Sequence, residues 1–128
     1  MEKEYSFKTA LDSSVLEDFY EGDLGYALSM FELFNEQIPL EISTLQEALS
    51  KGDLEGCRRV LHKIKPNFVM VGNSPLSEFC TKIERDIKVG LINFDQAKPE
   101  IESIIEEIQE TLILLKEETA QLKQHLNQ

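Results

Sequence analysis

The sequence predicts an all-α fold: an antiparallel four-helix bundle with a short helix in front and a long one at the end. Three observations predict it. No segment alternates apolar and polar residues as a half-buried strand does. Apolar residues recur instead at steps of three and four along four stretches, which gathers them on one face of a helix. Glycine and proline fall between those stretches, where helices stop and restart.

The first element is short. Ser13 or Ser14 can cap a helix carrying Val15, Leu16 and Phe19, and Gly22 can close it with a left-handed turn. Asp23 caps the next helix, whose stripe runs Leu24, Leu28, Phe31, Phe34, Ile38, Ile42, Leu45 and Leu49. Pro39 lies inside that stripe and is predicted to bend it, because it lacks an N–H and crowds the carbonyl of Asn35. Gly52 then stops the chain and Asp53 restarts it.

The third helix carries Leu54, Cys57, Leu61, Ile64, Phe68 and Val71, and Gly72-Asn73 breaks it. Ser74 caps the fourth, with Pro75 in the first helical position, where a missing N–H costs nothing. Its stripe is Leu76, Phe79, Cys80, Ile83 and Ile87, ending near Gly90. Asn93 or Asp95 starts the last helix, with Pro99 in its first turn, and its stripe runs from Ile101 through Ile104, Ile105, Ile108, Leu112, Leu115 and Leu122 to Leu126. That helix is about 30 residues, roughly 45 Å, so its end should pass beyond its neighbours and pack on the second helix, fray, or meet another chain.

Size and composition fit one domain over residues 1–128: the chain has 128 residues, 41% of them hydrophobic. The longest apolar runs, Phe68 to Val71 and Leu112 to Leu115, are four residues each, far short of a membrane span. The opening MEKEYSFK lacks a basic flank leading into an apolar run, so no secretion signal is expected and the cytoplasm is.

Net charge is −11, from 13 basic and 24 acidic residues. Phosphate backbones repel such a chain, which argues against nucleic-acid binding. The charge is uneven: residues 1–50 carry −9, residues 51–66 carry +3, residues 67–94 are neutral and residues 95–128 carry −5. The one net-positive stretch is KGDLEGCRRVLHKIKP. Cys57 and Cys80 cannot form a metal cluster on their own, and both fall on apolar stripes, as buried free thiols do. No metal or cofactor is expected.

His62 lies in that basic stretch, one residue past the core position Leu61. One residue turns a helix by about 100°, which carries His62 off the core face. Arg58 is four residues before it and Lys65 three after, so the three can share a face. A near-neutral imidazole keeps a nucleophilic lone pair. An ammonium about 4 Å from a phosphoryl oxygen would contribute about 4 kcal/mol per unit charge at an effective dielectric near 20, before desolvation. Exposed histidine beside two cations therefore suits an anion or an attached phosphoryl group. His125, in the frayed end, reads as solvated. A hydrolase built on His62 and Glu84 is disfavoured, because the sequence offers no nucleophile, oxyanion loop or metal set to go with them.

The stretch HKIKPNFVMVGNSPLSEFCTKIE, with KGDLEGCRRVL before it, resembles the histidine-containing phosphotransfer (HPt) domain of two-component phosphorelays. His62, Ile64 and Lys65 match the family's His-x-Leu-Lys core; Gly72 matches a glycine ten residues on, Cys80 and Ile83 the following helix, and Glu84 its closing acid or amide. The resemblance implies that His62 accepts the phosphoryl group, that Lys65 steadies it and that Glu84 orients the imidazole. Gly72 would allow the sharp turn between the two site helices, and Arg58 and Val69 complete the binding candidates, with Met70 beside Val69 as a further docking residue.

The resemblance also implies a phosphocarrier, not an enzyme, without a nucleotide loop of the GxxxxGK type. Its partners would be a response-regulator receiver domain and the receiver domain of a hybrid sensor histidine kinase, which supply metal and acid, and a monomer is expected. The alternative is an HPt-like helical interaction module that no longer transfers phosphate. One departure stands out: the family glycine after Lys65 is Pro66 here. Proline deletes the N–H that would bond the His62 carbonyl, at about 3 kcal/mol in a helix interior, and disfavours helical geometry at Lys65. A kink within one turn of His62, or a break with Pro66 opening a new segment, is therefore predicted, and either can re-aim Lys65.

Overall fold

A computed structural model describes residues 5–7 and 11–127; most of the opening stretch on which the secretion reading rests lies outside them. The described chain is all helical: α1 (Ser13–Tyr20), α2 (Leu24–Ser50), α3 (Leu54–Met70), α4 (Ser74–Lys88) and α5 (Phe94–Leu126). Helices α2 to α5 form the predicted bundle, packed in the ring order α2–α3–α4–α5, and α1 lies across α2 and α3. Short turns join successive helices, so they run antiparallel.

Local chemistry sets the boundaries. Asp12, not a serine, caps α1: its carboxylate accepts from the N–H groups of Ser14 and Val15 at 3.0 and 3.3 Å. Both serines fall within the first turn. The helix ends one residue earlier than expected, because Glu21 already takes the left-handed conformation (φ 48°), followed by Gly22. Asp23 and Asp53 cap α2 and α3 as predicted. Asn73 caps α4 in place of Ser74, accepting from the Leu76 N–H, while its amide donates to Thr111 Oγ1 and ties the helix start to α5. Asn93 starts α5 with a reciprocal capping box to Gln96. Pro99 thus sits in the second turn, and the Asp95 carbonyl loses its helical donor there.

The apolar stripes meet in one core in which Phe31, Phe68, Leu61, Ile64, Ile104 and Ile108 are fully buried. Each such side chain contributes about 1.5–3 kcal/mol relative to exposure. The stripe of α1 differs from expectation. Leu16 and Tyr20 are buried while Phe19 is exposed, and the Tyr20 hydroxyl donates to the Met70 carbonyl at 2.7 Å.

The distal part of α5 does not stand free. Asn35 Nδ2 donates to Thr119 Oγ1 at 3.1 Å, so that end packs on α2. Tyr5 also lies over it, its hydroxyl bonded to the buried Glu118 carboxylate, while Phe7 meets Phe31 of α2 edge-on at 6.1 Å. Leu115 and Leu122 are buried, whereas Leu126 is 40% exposed and leaves the core stripe. His125 is half-buried, its ring 5.1 Å from that of Tyr5, not solvated as expected.

Gly72 forms the α3–α4 turn at φ 80°. A Cβ there would come within 3.0 Å of Leu16 Cγ and 3.1 Å of the Asp12 carbonyl oxygen. The close approach is held by the Asp12 N–H, which donates to the Gly72 carbonyl at 2.9 Å. Only glycine meets both demands, a left-handed backbone and no side chain.

Candidate functional site

Helices α3 and α4 build the site. Steps of four and three place Arg58, His62 and Lys65 on one face of α3. Glu84, on α4, stands opposite them. Its carboxylate bonds His62 Nδ1 through Oε1 at 2.6 Å and accepts from Lys65 Nζ through Oε2 at 2.6 Å. Arg58 Nη1 lies 3.9 Å from Oε1, while the rest of its guanidinium grips Glu55, with Nη2 at 2.6 Å. One carboxylate is thus held between three basic groups.

Burial separates the partners. The Glu84 side chain is 10% exposed and that of His62 is 65% exposed. Burial is the largest influence on the Glu84 carboxyl and works to raise its pKa. The hydrogen bonds from Lys65 and His62, with their charges, outweigh it and hold the carboxyl below the usual range. Glu84 is therefore an anion and an acceptor. A neutral His62 carries its hydrogen on Nδ1 to donate to it, which leaves the Nε2 lone pair free. Nε2 has no hydrogen-bond partner among the described residues.

Pro66 does not break the site. Helix α3 runs through it to Met70, and Lys65 stays helical and reaches Glu84, contrary to the predicted break and re-aiming. The exposed turn accounts for this: His62, Lys63 and Pro66 are all exposed residues, and on such a turn water can serve a carbonyl that a proline leaves without a donor.

The remaining predicted residues spread out. Gly72 lies in the buried turn, ten residues or roughly 15 Å along the helix from His62. A cleft of about 580 Å³ lined by Asp12, Asn73, Glu107 and Thr111 opens beside that turn, likewise away from His62. Val69 is half-buried two turns past His62. Met70 lies on the α2 side, where it lines a narrow groove with Met30, Leu33 and Gln37. Those α2 residues were missed in the sequence because they fall outside the core stripe, yet Tyr26, Met30, Leu33 and Leu40 repeat at helical steps and Leu40 is 67% exposed. Lys63 turns away from the site to Glu41 of α2, at 2.7 Å.

No group of three His, Cys, Asp or Glu residues able to hold a metal occurs among the described residues. Cys57 and Cys80 are free and buried, and burial pushes their thiols up to about 11 and about 12. No described helix is long and apolar enough to cross a membrane.

Comparison with known proteins agrees with this fold. The family model of the Hpt domain matches residues 29–125. A solved HPt domain from a sensor hybrid histidine kinase of Shewanella superposes with a TM-score of 0.76 at 20% identity, over 87% of this chain and 94% of that one. No curated protein matches the sequence significantly. With the family match spanning α2 to α5 and the fold shared with a solved member, the chain belongs to the Hpt domain family, the phosphotransfer modules of two-component signalling.

Proposed function

We propose that residues 1–128 act as one phosphocarrier domain that relays a phosphoryl group between receiver-domain aspartates in a multistep two-component system. His62 is the acceptor. The observation that carries this reading is an exposed imidazole whose Nδ1 is engaged by a buried carboxylate, which leaves Nε2 free toward solvent.

The Nε2 lone pair attacks the phosphorus of an aspartyl phosphate in line. The N–P bond forms as the P–O bond breaks, with its electron pair leaving on the aspartate carboxylate. Such transfer depends on positioning and charge stabilisation, so one histidine on a rigid helix suffices while the visiting receiver supplies metal and acid. Glu84 fixes the ring's orientation and tautomer. Lys65 swings from Glu84 to the incoming phosphoryl oxygens, and Arg58 keeps the local potential positive in an acidic chain. Val69, together with Met70 and the exposed apolar residues of α2, offers the docking surface.

The partners are a response-regulator receiver domain and the receiver domain of a hybrid sensor kinase, met in the cytoplasm by a monomer. Incubation with a phosphorylated receiver domain tests the reading. Acid-labile, base-stable label is expected on the wild type and none on His62→Gln. No label on the wild type, or equal label on both, would leave an interaction module without transfer.

A further inference from the structure

We propose that Glu84 keeps the proton on Nδ1 of His62 while the phosphoryl group occupies Nε2, and thereby sets how readily that group leaves. This rests on the phosphocarrier reading and adds to it a determinant of transfer in the loaded state.

The chemistry follows from the bond count. When Nε2 forms its bond to phosphorus and Nδ1 keeps its hydrogen, the ring carries a positive charge. On unloading, the N–P electron pair returns to Nε2 while an acceptor carboxylate oxygen forms the new P–O bond, and neutral imidazole departs. Without the Nδ1 proton, imidazolate would have to leave, and it is a far poorer leaving group. The group at Nδ1 therefore decides whether the loaded histidine is a ready donor or a store.

Glu84 suits the first outcome. A glutamine at this position could serve either ring state, accepting from Nδ1–H through its oxygen or donating to a bare Nδ1 through its amide after a flip. An ionised carboxylate can only accept. With its oxygen 2.6 Å from Nδ1, a deprotonated ring would place a lone pair against a buried carboxylate oxygen, with no hydrogen between them to hold the contact.

Loading reinforces the effect. The charged groups facing the pair are Lys65 and Arg58, both from α3; α2 and α5 place no ion-pair partner on Glu84 among the described residues. Lys65 now neutralises the second Glu84 oxygen at 2.6 Å. Once a phosphoryl dianion draws Lys65 across, that oxygen loses its cation and the carboxylate holds the Nδ1 proton more strongly. Glu84 acts through His62 and is a positioning residue, so its signature is a pH profile.

Full-length wild type and Glu84→Gln, both ¹⁵N-histidine labelled, are phosphorylated with phosphoramidate, and the ring nitrogen shifts and loss of phosphate are followed against pH. The Nδ1 proton of the loaded wild type should titrate at least about one pH unit above that of the variant, an about tenfold stronger hold. Between the two midpoints the variant should lose phosphate several-fold more slowly. Folded wild type against urea-unfolded wild type provides the same comparison without a variant, with the folded midpoint higher. Coincident midpoints in both comparisons overturn the inference and leave the phosphocarrier reading standing. A wild type that takes no phosphate on His62 overturns both.

Discussion

The Glu84 carboxylate reaches His62 Nδ1 from the neighbouring helix at 2.6 Å, while its other oxygen takes the Lys65 ammonium at the same distance. One carboxylate is therefore shared between the imidazole and the ammonium to which the proposed transfer assigns the roles of acceptor and cation. Most of the expected behaviour of this protein follows from how that sharing is altered.

The first consequence is a pH dependence of stability. Glu84 has a folded pKa below its ordinary value, so its pairing stabilises the fold above the unfolded carboxylate pKa. That contribution is lost as the pH falls through the folded pKa. Glu84→Gln should therefore unfold at lower denaturant than the wild type at pH about 7, and the gap should close toward pH about 3. Urea titrations of both proteins at the two pH values measure it; a gap that widens on acidification would contradict the pairing.

Glycine is required more strictly at 72 than at 52. Both positions have positive φ, 80° and 68°, yet a Cβ at Gly52 meets nothing within 4 Å, whereas one at Gly72 meets Leu16 and Asp12. Gly52→Ala should cost about 1 kcal/mol from backbone strain alone. Gly72→Ala should cost about 2 kcal/mol or more, because the α1 junction must also shift. Chemical denaturation of the two variants orders them.

Pro66 interrupts the hydrogen-bond ladder of α3 without breaking the helix. Pro66→Ala should restore the donor to the His62 carbonyl and stabilise the protein by about 1–3 kcal/mol. Labelling by a phosphorylated receiver should persist, because His62 and Glu84 stay in place. Thermal melts followed by circular dichroism, with the labelling assay alongside, check both halves.

The cysteines should be silent in the folded protein. Both are buried and their thiols are pushed up by burial, so little thiolate exists at neutral pH. A chromogenic disulfide reagent should react with neither in native buffer and with both in denaturant; rapid reaction of the native protein would contradict the buried placement.

The bundle was legible because its apolar residues repeat at helical steps and its helices are punctuated by Asp23, Gly52, Asp53, Gly72 and Asn93. Caps were less so. Ser13 and Ser14 read as the cap of α1 in sequence although Asp12 beside them also carries an accepting oxygen, and tertiary contacts help to choose between neighbours, as Thr111 does for Asn73. The site was readable on α3, where Arg58, His62 and Lys65 are linked by local spacing. Glu84 entered through the family pattern and its place at the border of the α4 stripe, but its bond to Lys65 depends on how two helices face each other. The predicted break at Pro66 and the solvated reading of His125 failed for the same reason, that an environment was assumed from neighbours in sequence. Pro66 lies on a solvent-facing turn that tolerates it, and His125 packs on Tyr5 from the other end of the chain.

Phosphate placement tests the central claim most directly. The full chain is loaded from a phosphorylated receiver domain, and the modified atom is identified by ³¹P and ¹⁵N magnetic resonance with peptide mapping. The phosphorus should be bonded to Nε2 of His62. Phosphate on Nδ1, phosphate on His125, or no incorporation into a folded protein would contradict it.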